Sequence, residues 1–463
     1  MMRDPAFTLL RKPEPFSLKG KRVLVLGLGD TGLSVANWVE REGGVVRAAD
    51  TRAAPPRGKD FSGELQTGKF KTSLLKDVDL LCISPGLSLQ EELVQTAASR
   101  NIPVVGDVEL FAWAVRTGSS SKILAVTGTN GKSTVTALTG HLLRSAGIDC
   151  EVAGNIAPPA LDALLKNMSP PSVWVLELSS YQLETTWTLE PDAAALLNLS
   201  EDHLDRYGGL AEYARAKARI FAGKGAQVLN RCDSASMALA LPGRVEVTFG
   251  QDAPPMPEDF GIARFEGRDW LARGDERLLA REDLPLAGAH NASNALAACA
   301  LAHFAGVPPA ALAQGLRSFH GLPHRMQRIA LRGGVEWLDD SKGTNVGATV
   351  AALKGITKPA VLILGGEGKG QNFAPLVPAI RGRARHVLLI GRDAALIENA
   401  IAASGMPMER AATMEKAVAR AAMVAVPGDA VLLSPACASF DMFRDYRHRG
   451  ETFAAAVKAL GHE

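Results

Sequence analysis

Short apolar runs alternate with stretches whose apolar residues recur every three or four positions, and this rhythm holds from Lys21 almost to the C-terminus. Runs at 23–26, 45–48, 80–83 and 104–105 predict buried parallel strands joined by amphipathic helices. The polar stretch 117–121 predicts a linker. A second block starts at Lys122, with further buried strands expected at 173–176 and 193–197. A proline-rich interruption at 252–257 follows, and an alanine-rich helix over 291–305 closes the block. After residue 323 a third block repeats the alternation at 335–338, 361–364, 387–390 and 431–433. The pattern predicts an α/β protein of three consecutive domains, 1–116, 117–322 and 323–463. The outer two are expected to be Rossmann-like and the central one of the P-loop ATPase type.

Two glycine-rich turns stand between an apolar run and a helical pattern. In the central block Gly128, Thr129, Asn130, Gly131, Lys132, Ser133 and Thr134 follow the run 123–126. Such a turn aims backbone N–H groups at an anion at a helix N-terminus. Lys132 is placed to reach terminal phosphates, and Ser133 to offer an oxygen to Mg²⁺. The spacing departs from the usual phosphate loop, because Val126 stands where its first glycine would be. The reading is ATP or GTP binding, against a plain strand-to-helix turn.

In the front block Gly27, Gly29 and Gly32 match the dinucleotide fingerprint, with Asp50 at the end of the next strand. NAD is the obvious ligand. However, Asp50, Thr51 and Arg52 together suit a nucleotide carrying its own phosphates, and a hydride-transfer enzyme needs no second phosphate loop. Alternatively, the glycines serve only close helix–strand packing.

Composition narrows these readings without deciding between them. A chain of 463 residues with 47% hydrophobic and 22% charged residues and a net charge of +2 shows no strong preference for polyanions. Nucleic acid is therefore not expected as a partner. The cysteines Cys82, Cys150, Cys232, Cys299 and Cys437 are widely spaced, which argues against structural zinc and disulfides. No signal-peptide h-region and no membrane-length apolar run is present, so a cytoplasmic location without membrane insertion is expected.

Further candidates lie in the central block. Glu177 ends a predicted strand, where a carboxylate can hold Mg²⁺, or it is a solvent-facing strand-end acid. Asp202, His203, Asp205 and Arg206 form a polar cluster suited to a cation or a charged intermediate. Lys217 sits on an amphipathic helix over 213–221, where spacing alone favours a solvated face.

Taken together, these residues resemble the Mur ligase family, the ATP-dependent amide-forming enzymes of bacterial cell-wall synthesis. The matching stretches are GTNGKST at 128–134, ELSS at 177–180, DHLD at 202–205, AK at 216–217, HNASN at 290–294, LPHR at 322–325, DDSKGTN at 339–345 and GGEGK at 365–369. The front glycine turn and SPACASFDMF at 434–443 point to the member that adds the second amino acid. The DNPR segment of the diaminopimelate-adding relative is absent.

The resemblance implies UDP-N-acetylmuramoyl-L-alanine and D-glutamate as substrates, ATP, two Mg²⁺ ions, and catalysis by Lys132, Glu177, His203 and Lys217. It implies that Lys217 is a CO₂-derived carbamate and ligates metal with Ser133, Glu177 and His203. Asn291, Arg325 and Asp340 would join the phosphate loop around ATP, with Arg325 reaching across from the third domain. Gly29, Thr31, Asp50, Thr51, Arg52, Ser84, Asn155 and Ser179 would hold the UDP-sugar substrate. Lys342, Thr344, Lys369, Ser439 and Tyr446 would receive the amino acid, although phenylalanine is expected where Tyr446 stands. A monomer and ligand-driven domain closure are also expected. The rivals are a folylpolyglutamate-type ligase, an NAD-dependent oxidoreductase and a non-catalytic nucleotide-binding switch or scaffold.

Overall fold

The computed structural model describes residues 10–116, 120–167, 169–204, 206–286 and 288–461. Most of the expected linker, the start of the chain and Asp205 fall outside them. Three sheets follow one another along the chain, of five, nine and six strands.

The front sheet is parallel, in the order Glu64–Thr67, Val45–Asp50, Arg22–Leu26, Leu80–Ile83, Val104–Val105. This is the strand order of the doubly wound dinucleotide-binding fold without its sixth strand, and in that fold the ligand crevice lies beyond the carboxyl ends of the strands. Gly27, with φ +83°, turns the chain from Arg22–Leu26 into the helix Asp30–Arg41. A side chain at Gly32 would strike the Gly27 carbonyl at 1.9 Å, so the helix can approach the strand only with glycine there.

The central sheet places Lys122–Thr127 between Ala193–Leu196 and Val173–Glu177. Val173–Glu177 and Ala193–Leu196 are buried along their whole length, which explains their apolar runs. Parallel register sets Val126 beside Glu177 and Thr127 beside Leu196, so the phosphate loop, the acid and residues 197–203 emerge side by side. The far end departs from strict alternation. After 252–257 the strands Phe260–Phe265, Arg268–Arg273 and Glu276–Ala280 run as an antiparallel meander. Each is partly exposed toward one end, which gives a weaker signal than the buried strands. The alanine-rich helix, Ala289–Phe304, packs its small side chains closely against the helix Lys132–Ser145.

The third sheet runs Gln327–Arg332, Val335–Asp339, Ala430–Leu433, Ala360–Gly365, Ala384–Ile390, Met408–Arg410, parallel except at the first strand. Direct hydrogen bonds join it to the central domain. Arg325 Nη2 donates to Ser133 Oγ at 2.7 Å, and Asn345 Nδ2 donates to Asn130 Oδ1 at 3.1 Å and Asp202 Oδ2 at 3.0 Å. Among the described residues no helix is long and apolar enough to cross a membrane, and all five cysteines are free.

Candidate active site

The central glycine turn is held in shape by its neighbours. Gly131 adopts φ +86° at the N-terminus of Lys132–Ser145, and a side chain there would meet Asn294 Oδ1 at 2.4 Å. Asn198 clamps Asn130 twice, accepting from its N–H at 2.9 Å and donating to its carbonyl at 3.1 Å. Thr129 exchanges hydrogen bonds with the backbone of Ser200. Asn198 belongs to no motif, and strand register brings it to the loop; Asn294 ends the HNASN stretch and reaches the loop from the alanine-rich helix.

Two lysines converge beneath this turn. Lys132 Nζ donates to the carbonyls of Gly128 and Thr129, both at 2.9 Å. Lys217 Nζ donates to Gly128 O at 2.9 Å and lies 4.5 Å from the Tyr213 ring centroid. The solvated-face reading of Lys217 is overturned, because its helix, Leu210–Ala218, turns that face under the loop and leaves Lys217 1% exposed. Burial, reinforced by the charge of Lys132, pushes the Lys217 pKa well down; burial also lowers that of Lys132, against the pull of Glu177 and Asp202.

Glu177 is likewise buried, at 1% exposure, so the solvent-facing alternative fails. One oxygen accepts from Asn155 Nδ2 at 2.7 Å, whereas Oε2 has no hydrogen-bond partner among the described residues. A buried carboxylate oxygen without a donor is costly unless a cation meets it, so this donor set fits a metal. His203 stands nearby with φ +55° and its Nδ1 2.7 Å from the Tyr181 hydroxyl. Burial lowers its pKa, Asp202 opposes this, and the lysines 369, 132 and 217 add to it. Among the described residues no group of three or more His, Cys, Asp or Glu side chains could hold a metal by itself.

A cavity of about 360 Å³ opens between the central and third domains. It is lined by Asn130, Gly131 and Thr134 from the loop, Asn291 and Asn294 from the alanine-rich helix, and Arg325 and Asp340 from the third domain. Burial raises the Asp340 pKa to about 7, although Ser434 donates to it at 2.7 Å. Lys342 also lines this cavity; its Nζ sits 3.8 Å from the Tyr446 ring centroid, and burial lowers its pKa to about 8. Thr344 follows it in the same loop, its N–H donating to the Lys342 carbonyl. Lys369 holds φ +51°, and Ser439 is buried with its carbonyl accepting the N–H groups of Met442 and Phe443.

The front turn opens on a separate cavity of about 460 Å³, lined by Gly29, Thr31, Asp50, Thr51, Arg52, Ser84 and Asn155. Ser179 is not part of that lining; it caps the helix Ser180–Glu184 in a capping box with Gln182. Asp50 is also differently employed from a ribose ligand. Its oxygens accept from Leu28 N at 2.7 Å and from Arg52 Nε at 2.8 Å and Nη2 at 2.6 Å. Burial alone would raise its pKa, but the Arg52 and backbone hydrogen bonds prevail and hold it at about 2. Ser84 Oγ donates to Gly27 O at 2.8 Å. Arg447, from the third domain, also lines this cavity, and no motif had marked it.

Three family models match successive parts of the chain: a Mur ligase MurD-like N-terminal domain over residues 21–106, a Mur ligase middle domain over 126–302, and a Mur ligase glutamate ligase domain over 324–437. The chain is 54% identical to a UDP-N-acetylmuramoylalanine–D-glutamate ligase of Nitrosospira multiformis, across 96% of each chain. It is 52% identical to the enzyme of the same name from Thiobacillus denitrificans, across 96% of this chain and 98% of the other. Among solved structures, the UDP-N-acetylmuramate-alanine ligase of Thermotoga maritima shares the fold with a TM-score of 0.63 at 19% identity, covering 95% of this chain and all of that one. With two flanking Rossmann-like domains around an ATP-binding middle domain, the chain belongs to the Mur ligase family.

Proposed function

We propose that this chain is the ATP-dependent ligase that joins D-glutamate to UDP-N-acetylmuramoyl-L-alanine in peptidoglycan precursor synthesis. Its relatives bear that activity in their names. The observation that carries the mechanism is the buried cluster under the phosphate loop: two desolvated lysines on the Gly128 carbonyl, beside a carboxylate with an oxygen to spare. The units 1–116, 117–322 and 323–463 then divide the work among UDP-substrate, ATP and amino acid.

A carboxylate is a poor electrophile because its leaving group would be oxide. In the first step a carboxylate oxygen of the UDP-substrate attacks the γ-phosphorus of ATP, and the bond to ADP breaks. Two anions must meet, so positive charge fixed before they arrive lowers the barrier. The loop N–H groups, Lys132 and Arg325 supply it. Ser133, Glu177, His203 and a carbamate on Lys217 would hold two Mg²⁺ ions, whose chemistry is to offset charge on phosphate and carboxylate oxygens. The carbamate forms when the neutral Lys217 amine attacks CO₂ and gives up a proton, turning a cation into an anionic oxygen donor. The depressed Lys217 pKa supplies that neutral amine. Tyr181, on His203 Nδ1, leaves Nε2 as the ring nitrogen available to a cation.

In the second step the amine of D-glutamate attacks the acyl carbon, and the tetrahedral species expels phosphate to leave the amide. Lys342, Thr344, Lys369, Ser439 and Tyr446 surround the incoming amino acid, and two lysines suit its two carboxylates. Asn291 and Asp340 face the nucleoside part of ATP. Gly29, Thr31, Asp50, Thr51, Arg52, Ser84 and Asn155 shape the UDP site, and Ser179 positions the helix beside it.

The test is phosphate release with ATP, Mg²⁺ and UDP-N-acetylmuramoyl-L-alanine, adding D-glutamate, L-glutamate, L-alanine or diaminopimelate separately. Turnover with D-glutamate alone is expected. Turnover with another amino acid, or with none of the four, overturns the assignment.

A further inference from the structure

Charges around the front cavity cancel in pairs, with one exception. Asp50 is bound to Arg52 through two N–H groups, and Asp30 accepts from Arg57 Nε at 2.6 Å. Arg447 makes no ion pair with a carboxylate among the described residues. Its only hydrogen bond to a described residue runs from Nε to the neutral Tyr446 hydroxyl, at 3.2 Å, and neither Nη group has such a partner. Among the described residues it is the one cation lining the cavity that no carboxylate contacts directly, Asp30 and Asp445 acting on it only from a distance.

Its place in the chain is unusual too. Arg447 sits in the first turn of the helix Tyr446–Ala459, where the macrodipole disfavours a cation; Asp445, the N-cap, and Asp30 across the cavity act on it only through space, and the Asp445 carboxylate is spent on the His448 N–H. Its helix neighbour Tyr446 covers Lys342 on the amino-acid side, so adjacent residues of one helix end face two substrate sites. Opposite Arg447, the helix Asp30–Arg41 begins at Gly29 with no side-chain cap on its first N–H groups. An anion placed there meets a helix N-terminus from the front domain and a guanidinium from the third.

We propose that Arg447 is a substrate-binding residue that grips the diphosphate of the UDP-substrate from the third domain, so that arrival of this substrate draws the third domain closed over the amino-acid site. The inference rests on reading the front cavity as the UDP site.

The test compares R447A, R447K and R52A by KM for UDP-N-acetylmuramoyl-L-alanine and by inhibition constants for UDP and for uridine, which lacks the diphosphate. Melting curves confirm folding. R447A is expected to raise the KM and the UDP constant together by about tenfold, with uridine and the KM for ATP unchanged. R447K should recover part of the loss. Small-angle scattering should show contraction on adding the UDP-substrate to the parent protein but not to R447A. If R447A leaves the UDP constant unchanged while R52A, which exposes the Asp50 charge, raises it, the inference is wrong and the cavity reading stands. If neither variant changes it, both fall. An equal rise for uridine in R447A would make Arg447 a shaping residue and would also overturn the proposal.

Discussion

The two glycine turns begin alike, each leading from a buried parallel strand into a helix, yet their surroundings use polar side chains in opposite ways. Around Gly27–Gly32 the polar groups satisfy one another: Asp50 holds Arg52 and the Leu28 N–H, and Ser84 holds the Gly27 carbonyl. Around Gly128–Gly131 charged groups are buried with bonding capacity left over. Among the described residues Lys132 and Lys217 donate only to neutral oxygens, and Glu177 Oε2 accepts no hydrogen bond. The front turn itself is thus a satisfied cradle that keeps its geometry whatever it binds, and Arg447 across its cavity is the charge left over. An unsatisfied one holds fixed charge where charge must later develop, which is what electrostatic catalysis requires. The difference separates a binding turn from a reactive one better than the glycine spacing does.

If that contrast is right, the reactive turn should be far more sensitive to substitution. K217A is expected to lower kcat by about 10²–10³-fold, with the KM for UDP-substrate little changed and activity partly restored by short carboxylic acids. Full turnover in K217A would break the contrast outright. E177Q keeps the Asn155 contact but loses the anionic charge, so it should cost about 10²-fold in kcat and raise the Mg²⁺ concentration for half-maximal rate. An unchanged Mg²⁺ titration would show that the orphan oxygen serves no cation.

The amino-acid side should titrate. Lys342 carries its charge below about pH 8 and loses it above, because burial has lowered its pKa to about 8. The KM for D-glutamate should therefore rise by up to about tenfold per pH unit above pH 8. In K342R the rise should disappear, since arginine stays charged.

In the binding turn the effects should be smaller and should fall on stability. The Asp50 pKa of about 2 lies below the ordinary carboxylate value, so its ionised form stabilises the fold above about pH 4. That contribution is lost as pH falls from about 4 to about 2. D50N should flatten the melting temperature across that window, with kcat near that of the parent. S84A, which removes one hydrogen bond to a turn carbonyl, should raise the KM for UDP-substrate by no more than about threefold.

Much of the fold was legible because buried parallel strands are continuous apolar runs; 80–83 and 104–105 coincide with strands of the structure. The antiparallel meander was not, since strands such as Arg268–Arg273 carry charges on their outer face and leave few consecutive apolar residues. At the site, the loop itself is local chemistry and could be read directly. Lys217 could not be read from periodicity, because what buries it is a loop 89 residues away in sequence. Only the family resemblance reversed that reading. Asn198 and Arg447 carried no motif at all, and parallel register and domain packing bring them to the two cavities; Asn294 lay in the HNASN stretch, but its approach to Gly131 could not be read there.

Oxygen transfer is the most direct measure of the central claim that the central turn activates a carboxylate by phosphorylation. UDP-N-acetylmuramoyl-L-alanine labelled with ¹⁸O in its free carboxylate is turned over with ATP, Mg²⁺ and D-glutamate, and the released phosphate is analysed by mass spectrometry. One labelled oxygen per phosphate is expected, because the bond that breaks in the second step lies between acyl carbon and that oxygen. Phosphate without label would mean that no acyl phosphate forms and would contradict the account.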